Sequence, residues 1–432
     1  MYLPVKLKVS QLHYGKGENA MKNSMHTIVK LALRLVCFAP SLSRLGVVVS
    51  ISVLALAFST QQMSATVTYI VGTCKSGTQF STIQSALDAS PAPNTVEVCP
   101  ALYAEQITIT KPVTLEGIAA GNGAQAQIVG DGFGVNTTLF GGIPAAAHIL
   151  VKDVSGGSVN LKNLYVNDQG NSLSDVFLVG VAYQNSSGTI NQVVTAYQDG
   201  PGPNLVGWGM WIEGGNSKPS VTIESCSMHN FTAGALYALG TTTAADLTVA
   251  IKNNVVSSLS EGNHDIVVDE GSDPTVSGNV VNGGDGGDYG ITILGSEGSI
   301  SGNTVSGTQI GIELAADGAL VKANNLYDDV IDGIRIDASS LKVSEVENNK
   351  ITSVTDPGSG GGTGIELNCN NISSNQVHSN TVMDANYGYG DAPAGFAGSN
   401  TYLGVLFKVG TCADESVAQK AVRSGLQVTS NK

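Results

Sequence analysis

The sequence predicts an all-β chain: a single-stranded right-handed parallel β-helix, that is, a solenoid, with an N-terminal capping helix and a short C-terminal helix. Three observations predict it. A short phrase recurs, with a β-branched residue three places before an Asn and an apolar residue two places after it. It reads Ile251-Lys-Asn-Asn254-Val-Val256, Val276-Ser-Gly-Asn279-Val-Val281, Ile300-Ser-Gly-Asn303-Thr-Val305, Val321-Lys-Ala-Asn324-Asn-Leu326, Val346-Glu-Asn-Asn349-Lys-Ile351 and Val377-His-Ser-Asn380-Thr-Val382. The Asn residues step by 25, 24, 21, 25 and 31, a period at which each repeat is one turn of a stack.

The second observation is a phrase between the Asn positions: Ile291-Thr-Ile293, Ile312-Glu-Leu314, Ile334-Arg-Ile336 and Ile365-Glu-Leu367, each preceded by Gly. Apolar–polar–apolar alternation in Ile- and Val-rich segments is a strand signal. Asn and Gly tolerate left-handed backbone angles and suit the corners. The third observation is composition: 53 Gly and only 13% charged residues in 432. Short buried strands turned often by Gly account for both. No Leu-x-x-Leu-x-Leu pattern and no long helical period compete with this fold.

Residues 1–65 read as a leader. Lys22, Lys30, Arg34 and Arg44 precede the apolar run Leu45–Phe58, and small residues follow. That order is the pattern of a secretory signal, with cleavage after Ser59 or Ala65 and a start at Met1, Met21 or Met25. An uncleaved anchor is the competing reading, but the run is shorter than the roughly 20 residues that span a bilayer. The expected location is secreted, periplasmic or cell-surface, with no membrane span in the mature protein. Export permits disulfides. Cys74 and Cys99 bracket the first mature segment and Cys369 and Cys412 the last, so pairs Cys74–Cys99 and Cys369–Cys412 are expected at the two ends. Cys226 falls where the phrase has Asn and reads as a buried free thiol.

Residues 66–120 read as the N-terminal cap and first rung. Phe80, Ile83, Ala86 and Leu87 have helical spacing, which predicts an amphipathic helix over 79–90. Strands follow at Val96-Glu-Val98, Ile107-Thr-Ile109 and Val113-Thr-Leu115. Residues 121–395 form the coil with loop insertions, among them Asp131–Pro144 and Asp199–Trp211. Residues 396–432 form the C-terminal cap: a strand pair over 401–409 and a helix from Asp414 to Ser424, with Gly425 just past its end.

The run Phe80-x-x-Ile83-x-x-Ala86-Leu87, with Val96-x-Val98-x-Pro100-x-x-Tyr103-x-Glu105-x-Ile107-x-Ile109-x-Lys111-x-Val113-x-Leu115-x-Gly117, resembles the opening of pectin-lyase-like β-helix proteins. Pectin methylesterases and NosD-like proteins begin this way. The opening covers about 40 residues, and the Asn repeats extend the resemblance along most of the mature chain. It implies the fold; many activities share that fold. The methylesterase motifs are not matched, since Gln198-Asp199 is followed by Gly-Pro. The polygalacturonase set lacks its Gly-His-Gly, although Asp328-Asp329 and Arg335-Ile336-Asp337 are present.

Candidate chemistry lies in Tyr327-Asp328-Asp329-Val-Ile-Asp332-Gly-Ile-Arg335. Asp328, Asp329, Asp332 and Arg335 are the catalytic candidates, because closely spaced carboxylates can share a proton or a cation. The alternative is a solvated turn. Glu313, Arg335 and Glu366, with Thr292 beyond, occupy one outward position in successive rungs and read as a charge ladder. Trp208 and Trp211 are candidates to stack on sugar rings, against simple packing over a sheet. Asp285 and Asp288 lie in Gly283-Gly-Asp-Gly-Gly-Asp288, a single copy of a calcium-binding nonapeptide that ordinarily works in tandem. Calcium there is the one cofactor indicated. His264, beside Asp265, reads as a turn residue, and the six His show no ligand spacing.

Net charge is −14, which excludes a nucleic-acid partner. The expected protein is an exported monomer that binds polysaccharide or serves as a surface interaction module. The alternative is a carbohydrate-active lyase, hydrolase or esterase acting on acidic polysaccharide. A NosD-like role in metal-site maturation lacks the Cys, His or Met clusters it would need.

Overall fold

The computed structural model describes residues 66–411 apart from 122, 131–132, 170–172, 174–175, 199–206, 242–245, 259–263, 285–288, 296, 316–317, 330, 338–344, 355–361, 369–375 and 393–398. The leader, Cys369–Cys412, the calcium candidates Asp285 and Asp288, and the C-terminal helix lie outside the described residues. No described helix is long and apolar enough to cross a membrane.

Three sheets of 13, 12 and 13 strands, parallel except for one antiparallel strand of the third, run the length of the described chain. Each repeat contributes one strand to each sheet in turn, as in Ser272–Ser277, Val280–Asn282 and Tyr289–Ile293. Successive copies of the Asn phrase stack in register, with Val276 opposite Ile300 and Ile300 opposite Val321. The inner face of the first sheet is the column Ile251, Val276, Ile300, Val321, Val346 and Val377. The third sheet supplies Ile266, Ile291, Ile312, Ile334 and Ile365, and all of these side chains are buried. Burying each contributes about 1.5–3 kcal/mol. The apolar positions of both phrases therefore line one core.

The amide column forms as expected. Asn303 Oδ1 accepts from Asn279 N (3.0 Å) and Asn279 Nδ2 (2.9 Å), and the same two bonds join Asn254 to Asn279, Asn303 to Asn324, Asn324 to Asn349 and Asn349 to Asn380. Each second amide proton goes to a carbonyl of the preceding rung, as from Asn303 to Val276 O. Asn400 adds one further step, accepting from Asn380. Its phrase begins with Ala397 where the others have Val or Ile, which hid it. Cys226 stands at the head of the column, its amide donating to Asn254 Oδ1. It is free and buried, and burial pushes its thiol up to about 12.

The residue before each column position turns left-handed: Asn253, Gly278, Gly302, Ala323, Asn348 and Ser379 all have positive φ. Ala323, at φ 54°, is the least suited of them. Left-handed backbone costs an ordinary residue about 1–2 kcal/mol, less for Asn. Ala323→Asn is therefore expected to stabilise by about 0.5–1 kcal/mol, read as a raised midpoint in denaturant. An unchanged or lowered midpoint contradicts the account of this corner.

At the N-terminal end the helix is Ile83–Leu87, shorter than the 79–90 expected. Gln79 and Phe80 pair instead with the strand Thr68–Val71, so an open edge claims the first turn. Thr82 caps the helix, and Glu105 accepts from the Ile83 and Gln84 amides at 2.9 and 3.0 Å. Ile83, Ala86 and Leu87 enter the core. The disulfide Cys74–Cys99 is present. Thr401–Leu403 and Phe407–Thr411 are strands, as expected over 401–409.

Candidate functional site

The outer faces of the sheets differ in how they treat charge. On the first sheet, Glu116 stands opposite Lys162, Glu224 opposite Lys252 and Lys322 opposite Glu347. None of these six side chains is buried. That is a solvated charge ladder, of little energetic weight.

The third sheet is different. The sequence-predicted column is there: Thr292 opposite Glu313, Glu313 opposite Arg335, and Arg335 opposite Glu366. Its inward neighbours, such as Ile312 and Ile334, anchor the strands, so the polar residues between them must point outward. Yet the column is not a simple ladder. Thr292 and Glu366 are each 1% exposed, and the Arg335 side chain is 14% exposed. Arg335 does not divide itself between the two Glu residues. Its Nε and Nη2 both reach Asp332 Oδ2, at 2.7 and 2.6 Å.

Glu313 instead meets Asp337, the residue just past the end of the strand Asp332–Ile336. Two carboxyls in hydrogen-bond contact hold a proton between them. Burial, and then the charge of Asp337, push Glu313 up to about 7; Arg335 opposes the rise, and Thr292 hydrogen-bonds the Glu313 carboxyl. Asn368 Nδ2 donates to Asp337, and Asn368 N donates to Glu366 Oε1 at 3.0 Å. Tyr289 lies two rungs before Asp332 in the neighbouring outward column, through Ile310. Burial above all, then Glu313, raises its phenol, so it stays a neutral hydroxyl. The site is thus Tyr289, Thr292, Glu313, Asp332, Arg335, Asp337, Glu366 and Asn368.

The predicted triad of aspartates does not assemble. Asp328 is exposed, at φ 59° in a corner. Asp329 is fully buried, where Thr308 Oγ1 donates to it at 2.7 Å. Asp332 alone reaches the outer face of the third sheet, with Arg335. Nor is the segment a solvated turn, since Asp329 and Asp332 are both fully buried. A backbone that turns a corner within three residues aims consecutive side chains in different directions, and sequence proximity does not reveal this.

Burial above all holds the Asp329 carboxyl well above the ordinary range, near 3.8. Its effect on stability has a definite sign. The contribution is fully present below about pH 4 and is lost as pH rises toward the folded-state value, because only the unfolded chain ionises readily there. Asp329→Asn keeps an acceptor for Thr308. It is expected to flatten that decline, so that the variant unfolds later than wild type at pH 8 and not at pH 4. Parallel curves at both pH values count against it.

Trp208 and Trp211 are buried, 7% and 5% exposed. The insertion expected over Asp199–Trp211 ends earlier than predicted, because Gly207–Glu213 is a strand of the third sheet. Met210 and Ile212 point inward, which turns both indoles outward into a second apolar cluster with Leu139, Leu150 and Val179. Trp211 stacks on Tyr237 at 4.4 Å, and its Nε1 donates to Glu213 Oε1 at 2.8 Å. Glu213 also accepts from Phe140 N and Gln184 Nε2. Thr137–Leu139 pairs antiparallel with Ile143–Lys152, so the described part of the other insertion packs onto this cluster. Packing, not sugar stacking, explains both Trp residues. His264 is also no turn residue: it opens the strand His264–Val268 and stacks on Tyr289 at 4.8 Å. Asp265 is buried beside it.

Among the described residues, no group of three or more His, Cys, Asp or Glu is placed to hold a metal ion. Asp337 and Asn368 were missed in the sequence. Asp337 carried a usable signal, as the next outward position after Arg335 in the alternation.

Residues 242–401 match the family described as "Right handed beta helix region". No curated protein matches the chain. Among solved structures, the selenomethionine form of the GH136 lacto-N-biosidase from Eubacterium ramulus aligns with a TM-score of 0.54 at 12% identity, over 82% of this chain and 70% of that one. The native form of that enzyme gives 0.51 at 12%, over 79% and 67%. A pectin methylesterase from Erwinia chrysanthemi gives 0.38 at 13%, over 57% and 80%. The likeness to the lacto-N-biosidase is one of fold, and it agrees with the stacked parallel sheets.

Proposed function

We propose that this right-handed parallel β-helix is an exported carbohydrate-active enzyme that hydrolyses a glycosidic bond on the outer face of its third sheet. Glu313 donates the proton, and Asp337, in hydrogen-bond contact with it, holds that proton in place. One observation carries the reading: charges of the first sheet stand opposite partners of the other sign, whereas half-buried Glu313 is set against a second carboxyl while Arg335 beside it is held by Asp332. Two carboxyls in contact share one proton and act as a single acid, too close together to flank a sugar as separate acid and base. Glu313, protonated near neutral pH, gives its proton to the leaving oxygen as the bond to the anomeric carbon breaks. The carboxylate left on the Glu313–Asp337 pair then takes a proton from the water whose oxygen bonds to the anomeric carbon, which restores the acid. Arg335 fixes Asp332 beside them, and Asn368 holds Asp337 in place. The lacto-N-biosidase that shares the fold is a glycosidase by name, which is compatible with this use of the scaffold. The leader-like residues 1–65 support action outside the cytoplasm.

The test is release of new reducing ends from a panel of oligo- and polysaccharides by wild type and by Glu313→Gln. Release by wild type and not by the variant supports the enzyme. Binding of a glycan without release from any of them supports the non-catalytic, polysaccharide-binding reading and sinks the catalytic one.

A further inference from the structure

We infer that the glycan taken by this site is non-acidic: a saccharide whose units carry neither carboxylate nor sulfate. The inference rests on the reading of the site as a saccharide site and adds the substrate class. It comes from the charge on the outer face of these rungs. In the four strands Tyr289–Ile293, Ile310–Leu314, Asp332–Ile336 and Thr363–Glu366, Arg335 is the one basic residue. Two of its nitrogens, Nε and Nη2, already lie on Asp332 Oδ2. Around it stand Glu313, Asp337 and Glu366. A uronate or sulfate entering this face would meet carboxyl groups and find the guanidinium engaged.

The remaining polar side chains suit hydroxyl groups. Tyr289 is a neutral phenol and Asn368 an amide, both half-buried. Sugar hydroxyls both donate and accept, so they can pair with carboxylates, phenols and amides alike. A charged substituent brought within about 4–6 Å of an unneutralised carboxylate at a partly buried site loses about a hundredfold or more in binding. Arg335 cannot act as a clamp for an acidic sugar without leaving Asp332, a fully buried carboxylate that would then lack its cation.

The experiment uses matched glycans: polygalacturonate, alginate and glucuronate-bearing chains, each beside its carboxyl-reduced, uncharged form, together with neutral glucans, mannans and N-acetylated amino-sugar chains. Binding is measured by affinity electrophoresis with Glu313→Gln, which separates recognition from turnover, and reducing ends are measured with wild type. Retardation and cleavage by uncharged chains are expected, with each acidic form at least about a hundredfold weaker. Asp337→Asn, at the exposed carboxylate of the cluster, checked for folding by its thermal transition and assayed for binding only, is expected to narrow that gap about tenfold. Equal or tighter binding of the acidic forms overturns the inference and leaves the hydrolytic reading standing. Failure of every glycan to bind or be cut removes both.

Discussion

Asn303→Ala is expected to cost about 3–5 kcal/mol of stability, the upper range for a single substitution. Asn303 is buried in mid-column. Its Oδ1 accepts from the amide and side chain of Asn279, and its Nδ2 donates to Val276 O and Asn324 Oδ1. Alanine leaves two donors on Asn279 and one carbonyl at Val276 without partners, in a place water does not reach. Each such group costs about 1–3 kcal/mol. Cys226 is the internal control, because it heads the column and its thiol donates to the carbonyls of Ile190 and Glu224 where the asparagines bond one another. Cys226→Ala should cost about 1 kcal/mol, the effect of a small deletion. Guanidinium unfolding of both variants is the measurement, with hydrogen exchange around Asn279 to locate the damage. Similar midpoints for the two would remove the amide column as a main source of stability.

Glu313→Gln is expected to lower kcat about 10²–10⁴-fold at pH 5–7, the usual worth of a positioned general acid. Glutamine keeps the size and the hydrogen bonding toward Thr292 and Asp337, so the fold should survive. The pH profile makes the role specific. In wild type, burial pushes Glu313 up to about 7, and activity should fall as pH rises through that value and the donor is lost. The variant's residual rate should lack this limb. Stability carries a second sign. A carboxyl raised in the folded state contributes stability that is fully present below the ordinary carboxylate value and lost as pH rises through about 7. Glu313→Gln should therefore melt higher than wild type at pH 8. A variant that retains full kcat, or a wild-type rate flat across pH 6–8, would falsify the assignment of Glu313 as proton donor.

Individual residues show where the sequence could be read and where it could not. The period of Asn254 to Asn380 and the Gly-led strand phrase placed the core columns, the left-handed corners and the Cys226 substitution. Thr292, Glu313, Arg335 and Glu366 could be set in one outward column, because alternation and a known register decide which side chains are neighbours across rungs. The partnering within that column could not be read. Arg335 turned to Asp332 of its own strand and Glu313 to Asp337, choices that depend on side-chain reach and burial. Asp328 and Asp329 looked alike in sequence, yet one corner put the first in solvent and the second in the core. The Trp residues could be read as sugar platforms until the strand Gly207–Glu213 placed them under packed neighbours.

By itself, the sequence determined a stacked parallel coil, its inward aliphatic columns and its column of amides. These follow from local periodicity, and every repeat restates them. Only the tertiary structure decided which charges are solvated and which are withdrawn. Burial is a property of what lies above a side chain, and on the third sheet that differs from rung to rung: Thr137–Leu139 packs onto the Trp cluster, and Asp337 and Asn368, just past strand ends, join the Glu313 column.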